Sequence, residues 1–251
     1  MSTAVLETRD MCKSFGALEV ARNINFRLDP GARHALIGPN GAGKTTFVNL
    51  ITGTLKPTSG QVHLGGQDIT AMAQHERVKH GLARTFQINT LFNGLTVLEN
   101  IYLGIAERKG LGHAMWRPVG SNREAIDEAV ALIDRLQLTE DALRPVRELP
   151  YGRQRLVEIA IALGLEPRVL LLDEPAAGVP SAEHGILLDV IDSLPTEIAI
   201  LIIEHDMDVV FRFAREITVL VSGGVLTVGS PDEIARDERV RAVYLGESSH
   251  V

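Results

Sequence analysis

Gly38-Pro39-Asn40-Gly41-Ala42-Gly43-Lys44-Thr45 has the spacing G-x-x-x-x-G-K-[ST] of a loop that wraps phosphate groups. His34-Ala35-Leu36-Ile37 before it reads as a short buried strand. Thr46-Phe47-Val48-Asn49-Leu50-Ile51 after it reads as a helix stopped near Gly53. Strand, glycine loop and helix start are what phosphate binding needs. The glycines let main-chain N–H groups converge on anionic oxygens, and the helix N-terminus adds its positive end. The cradle comprises Gly38, Asn40, Gly41, Ala42, Gly43, Lys44, Thr45 and Thr46. Within it Lys44 is placed to reach the β- and γ-phosphates of a nucleoside triphosphate, and the Thr45 hydroxyl to hold Mg²⁺. A glycine-rich turn that merely precedes a helix is the competing reading, and the flanking strand and helix weigh against it.

Composition sets the outer limits. The 251 residues are 45% hydrophobic and 23% charged, ordinary for one globular domain or one domain with an insert. A net charge of −7 argues against a nucleic-acid partner bound over a broad surface. Cys12 is the single cysteine, which excludes an internal disulfide and a cysteine-based zinc site. The N-terminal residues lack the apolar stretch of a secretory signal. The longest apolar runs, Val169 to Leu172 and Ile198 to Ile203, have the length of buried strands rather than the ~20 residues of a membrane span. Work at a membrane would require docking onto an embedded partner.

Around the glycine loop, residues 4–32 carry short alternating stretches such as Ile24-Asn25-Phe26-Arg27-Leu28, closed by Asp29-Pro30-Gly31. They predict strands beside the loop. Ser59 to Asp68 reads as a strand or hairpin rejoining them. A helix-rich region runs from about Thr96 to Gly164, broken at Glu107 to Asn122 by a stretch containing Gly110, Gly112, Pro118 and Gly120. Ala125, Ile126, Ala129, Leu132, Ile133 and Leu136 share one helical face, and Leu156, Ile159, Ala160 and Leu163 another. Val169 to Leu172, a helix-sized Ile186 to Leu194, and Ile198 to Ile203 follow. Apolar strands alternating with helices predict a mainly parallel α/β sheet covered on both faces. The expected organisation is one domain over 1–251, with helices inserted at about 92–164 and a C-terminal tail at about 225–251.

Asp173-Glu174-Pro175 ends the strand from Val169, at the edge where such sheets place their ligands. One carboxylate can orient Mg²⁺ and its waters, and the next can take a proton from attacking water. Asp173 is assigned to the metal and Glu174 to the base. Ile203-Glu204-His205-Asp206 repeats the arrangement, with His205 placed to donate to the γ-phosphate and the attacking water. Gln87, in Ala83-Arg84-Thr85-Phe86-Gln87, can complete the Mg²⁺ shell through its amide oxygen.

Glycine loop, Gln87, helical insert, Leu149-Pro150-Tyr151-Gly152-Arg153, Asp173-Glu174 and His205, in this order, resemble the ATP-binding subunit of ABC transporters over nearly the whole chain. The resemblance implies a RecA-like P-loop α/β core with an antiparallel β subdomain and an inserted helical subdomain. It implies ATP and Mg²⁺ as ligands, and Phe15 as the aromatic that stacks on adenine, where a packed core Phe is the plainer reading. Leu-Pro-Tyr-Gly-Arg replaces the family's usual Leu-Ser-Gly-Gly-Gln. Pro150 offers neither a hydroxyl nor a free N–H to the γ-phosphate of the opposite subunit. Gly152 keeps the close backbone approach, and Arg153 is a candidate replacement donor. Pro180 stands where the family often has Asp.

By that resemblance the engine is a dimer, each ATP held between one subunit's glycine loop and the other's Gly152 segment. Leu95 to Asn100, the break at Glu107 to Asn122, Leu172 to Gly178 and the ending Val243 to Glu247 look like ATPases of high-affinity branched-chain amino-acid importers. Such a subunit sits on the cytoplasmic face of the membrane, with transmembrane permease subunits, a second ABC ATPase subunit (hetero- or homodimer) and, indirectly, a periplasmic solute-binding protein. The short ending leaves no room for an added regulatory domain. The ATPase of a lipopolysaccharide or other lipid exporter, and a soluble ABC clamp acting in DNA repair or translation, stay open as alternatives.

Overall fold

The computed structural model describes residues 3–85, 91–111 and 122–247, with side chains to residue 244. Strands β1 (Leu6–Phe15) and β2 (Leu18–Leu28) pair antiparallel, with Leu6 opposite Leu28 and Phe15 opposite Leu18. Strand β3 (Arg33–Ile37) leads into the glycine loop and helix α1 (Lys44–Thr52). Gly53, at φ 82°, ends α1 in the left-handed conformation that glycine adopts without a Cβ penalty. Strands β4 (Ser59–Leu64) and β5 (Gln67–Asp68) form the hairpin expected there. Its two loop residues, Gly65 and Gly66, both have positive φ, as a tight hairpin turn requires. The hairpin joins β1 to complete a four-stranded sheet of order β2-β1-β4-β5.

Helix α2 (Gln74–Lys79) and strand β6 (Leu82–Arg84) precede three helices, α3 (Val97–Arg108), α4 (Arg123–Arg135) and α5 (Tyr151–Leu163). Thr96 and Asn122 cap α3 and α4 by accepting N–H bonds from Glu99 and Ala125. Most of the predicted break, residues 112–121, lies outside the described residues. Strand β7 (Val169–Asp173), helix α6 (Ser181–Asp192), strand β8 (Ala199–Ile203) and helix α7 (Met207–Phe213) follow. Strands β9 (Glu216–Val221) and β10 (Gly224–Gly229), then helices α8 (Pro231–Arg236) and α9 (Glu238–Glu247), complete the chain's described part.

The second sheet has the order β10-β9-β3-β8-β7-β6, parallel except for β10 at its edge. Every residue of β3, β7 and β8 is buried, which is why β7 and β8 read as continuous apolar runs rather than alternating ones. Their side chains still alternate between two cores. Ile37, Leu170, Leu172, Ile200 and Ile202 face the core shared with the inserted helices. Leu36, Leu171, Leu201 and Ile203 face Phe47, Leu50 and Ile51 of α1 and the antiparallel sheet. Each such side chain contributes about 1.5–3 kcal/mol on burial, so the parallel sheet is the rigid layer from which the site projects.

One polar residue inside that layer carries a pH prediction. His34 is 1% exposed, its Nε2 lies 2.8 Å from Thr218 Oγ1, and its ring meets Phe26 edge-on. Burial pushes its pKa down to about 4. Glu216 Oε2 lies 3.1 Å from Nδ1, but that carboxylate is largely solvated and Nδ1 has no hydrogen-bond partner among the described residues. Above pH 6.5 the folded and unfolded chains are both neutral here. As the pH falls towards about 4, the unfolded chain takes up a proton that the folded ring refuses, so stability drops. The full shift corresponds to about 3 kcal/mol. Urea midpoints of the wild type and H34N, measured from pH 7 to 4, should diverge by up to that amount; parallel curves would remove His34 as the cause.

Candidate active site

Leu36 of β3 and Asp173 of β7 both lie opposite Ile203 of β8. Three strand ends are thereby level at one edge of the sheet. From that edge leave the glycine loop, Asp173-Glu174 and Glu204-His205, joined by Glu174 N–H donating to Ile203 O at 2.9 Å. Residues far apart in sequence meet because their strands are neighbours.

Gly43 sits at φ 99° as the N-cap of α1 and, lacking a side chain, does not itself cap the first turn. The N–H groups of that turn therefore remain for an anion. The loop is clasped by neighbouring backbone. Gly223 N–H donates to Ala42 O at 2.9 Å, and a Cβ on Gly38 would lie 2.3 Å from Leu220 O. Lys44 Nζ donates to the carbonyls of Gly38 and Pro39, so the ammonium is held over the loop it belongs to. Asn40, Gly41 and Thr45 are exposed, and Ala42 is buried. Thr46 is half-buried on the same turn.

Phe15 is 53% exposed, which removes the packed-core reading, and Lys13 Nζ stands 5.0 Å from its ring centre. An exposed aromatic face at the end of β1 can stack a base, which contributes about 1–3 kcal/mol. F15A should weaken ADP binding about 10-fold in calorimetry while leaving the affinity for ribose triphosphate unchanged. Equal losses for both ligands would assign Phe15 a structural role.

At the acidic end, Asp173 Oδ2 accepts from Arg84 Nη2 at 2.5 Å, a pairing that sequence reasoning did not anticipate. Glu174 adopts φ 46°, an uncommon conformation for a residue with a side chain. It turns out of the strand and places Oε1 3.7 Å from His205 Nδ1. Glu204, 1% exposed, accepts N–H bonds from Ala176 and His205 at 3.1 Å each. It ties the segment after β7 to the one after β8, and burial pushes its pKa up. A glutamate ending an apolar run was visible in the sequence, but its cross-link was not.

Among the described residues no three His, Cys, Asp or Glu side chains cluster as a metal cage. The two oxygen donors expected for a metal and included in the described residues are the Thr45 hydroxyl and the Asp173 carboxylate. That suits Mg²⁺, which keeps several waters and takes one or two protein oxygens beside phosphate. Gln87 lies outside the described residues.

Gly152 stands at the start of α5 behind Pro150, among the inserted helices. A Cβ there would lie 2.6 Å from Glu183 Oε2 and 3.4 Å from Val179, so its neighbours belong to α6 and the turn before it rather than to the glycine loop. Arg153, the candidate replacement donor, pairs with Asp141 at 2.7 and 2.8 Å and keeps 30% of its side chain exposed.

The sequence matches the ABC transporter family over residues 21–177 and the branched-chain amino acid ATP-binding cassette transporter family over residues 225–250. It is 36% identical to the high-affinity branched-chain amino acid transport ATP-binding protein BraF of Pseudomonas aeruginosa, covering 99% of this chain and 100% of that one. It is 37% identical to the corresponding protein LivG of Escherichia coli, with the same coverage. A crystal structure of an ABC transporter's ATP-binding cassette in its ADP conformation superposes with a TM-score of 0.86 at 30% identity, over 98% of this chain and 100% of that one. With the glycine loop, acidic strand end and histidine gathered at one sheet edge, the chain belongs to the ABC transporter family, in its branched-chain amino-acid ATP-binding branch, and is an ATPase.

Proposed function

We propose that this ATPase energises uptake of branched-chain amino acids from the cytoplasmic face of a membrane. It works as one of two ABC ATPase subunits beneath transmembrane permease subunits fed by a periplasmic solute-binding protein. No described helix is long and apolar enough to cross a membrane, so the permeases supply the channel. The convergence of loop, carboxylates and His205 at one edge of the parallel sheet supports the ATPase part of the reading, and the match to branched-chain amino acid ATP-binding proteins supports the cargo.

In the proposed cycle Phe15 stacks on adenine, and the glycine loop with Lys44 and Thr46 holds the phosphates. Thr45, Asp173 and Gln87 would hold Mg²⁺, which would supply charge neutralisation to the phosphates. Glu174 accepts the proton of the attacking water, and His205 orients that water and the γ-phosphate. Gly152 closes on the ATP of the opposite subunit. Pro150 removes one charge-assisted hydrogen bond there, a cost of about 1.5–3 kcal/mol in closure.

Transport assays test this directly. Vesicles holding the chain with its neighbouring permeases and ATPase should accumulate labelled leucine, isoleucine or valine when ATP is inside and binding protein outside. ATP hydrolysis stimulated by a lipid substrate, with no amino-acid uptake, would favour an exporter instead.

A further inference from the structure

Arg84 is the last residue of β6 and lies three positions before Gln87. Its Nη2 donates to Asp173 Oδ2 at 2.5 Å, and its Nη1 donates to Asn49 Oδ1 at 2.9 Å. The Arg84 and Asp173 side chains are only 12% and 9% exposed. One planar guanidinium therefore spans three elements. These are strand β6, the helix that begins at the glycine loop, and the strand that ends in Asp173. Resting on the nucleotide reading above, we infer that Arg84 is a positioning residue for Mg²⁺: it fixes the Asp173 carboxylate relative to α1 so that its second oxygen holds a metal-bound water.

The chemistry favours this over a passive ion pair. A carboxylate that holds a metal through water needs its rotation stopped, and a two-pronged donor anchored to both α1 and β7 stops it. Arginine alone among cations has the fork geometry to reach Asn49 and Asp173 together. A lysine at this position can satisfy one partner at a time. Loss of such an outer partner typically weakens metal affinity 10–100-fold. The phosphate contacts of the glycine loop, which do not involve Arg84, stay as they were.

The probe is Mn²⁺ bound to the ADP-loaded full chain, read by its paramagnetic resonance signal, with ADP affinity measured separately in chelator. R84Q should raise the Mn²⁺ dissociation constant about 10–100-fold, with ADP affinity in chelator changed less than about twofold. D173N should produce a similar loss, and adding R84Q to D173N should cost little more, because Arg84 acts through Asp173. R84K, which keeps the charge but not the fork, should fall between wild type and R84Q, and it carries the test if R84Q does not fold. Mn²⁺ bound as tightly as in wild type, or more tightly, would overturn the inference. So would additive losses in the double variant, or ADP affinity falling in step with Mn²⁺ affinity. Failure of the wild type itself to bind Mn²⁺ and ADP would instead bring down the nucleotide reading along with the inference.

Discussion

E174Q should bind ATP as the wild type does and hydrolyse it about 10²–10⁴-fold more slowly, the range lost with a general base. Glutamine keeps the side chain's shape and its exit from the strand at φ 46°, so the turn has no reason to rearrange. What changes is the oxygen that receives the proton. Glu174 is 26% exposed, partly shielded but reachable by water, and His205 stands 3.7 Å away with 65% exposure. That separation is too long for a direct hydrogen bond and leaves room for a water between the two side chains. Catalytic hydrogen bonds often tighten only once substrate is held. With chemistry blocked and binding intact, the ATP-bound dimer should accumulate, visible as a doubled mass in sedimentation with ATP and as its loss with ADP. Phosphate release at the wild-type rate would take Glu174 out of the role of base.

The parts of the site that could be read from the sequence are those in which chemistry dictates contiguous residues. Gly38 to Thr45 must be consecutive because backbone N–H groups wrap one anion, and Asp173-Glu174 must follow a buried strand because the sheet edge is where they act. Residues whose task depends on a distant partner left no such trace. Arg84 meets Asp173 across 89 positions, and strand β6, with three residues, is too short to display a period. Its existence is decided by pairing with β7. The pairing of Arg153 with Asp141 was equally hidden, because Asp141 lies twelve positions earlier in a single turn of 3₁₀ helix. Helix α6 begins at Ser181, not Ile186, since Ser181-Ala182-Glu183-His184 carry little apolar pattern to announce a first turn. Phe15 was the reverse case: its type left a packed core role open, and only its exposure removed that reading.

G43A should abolish nucleotide binding at ordinary concentrations and also destabilise the fold, through a contact no side-chain movement can relieve. Gly43 sits at φ 99°, and a Cβ there would lie 2.9 Å from Val20 O and 3.4 Å from the Gly223 Cα. Both neighbours are backbone, one in β2 and one in the turn between β9 and β10, so neither swings aside. The chain would have to move Gly43 itself, the N-cap of α1, and with it the first-turn N–H groups, Lys44 and Thr45. Displacements of about 1 Å in such a cradle cost about 10²-fold in related geometric settings, and the left-handed backbone adds about 1–2 kcal/mol. G110A separates these terms. Gly110 also has positive φ, at 67°, but a Cβ there would meet nothing within 4 Å among the described residues. That variant should lose about 1–2 kcal/mol of stability, a fall of roughly 2–8 °C in Tm for a chain of this size, with ADP affinity unchanged. G43A should fall further in Tm and show no calorimetric heat with ADP at concentrations that saturate the wild type. If the two variants bind ADP equally well, close backbone approach is not what shapes the phosphate loop, and left-handed geometry alone would account for the glycine.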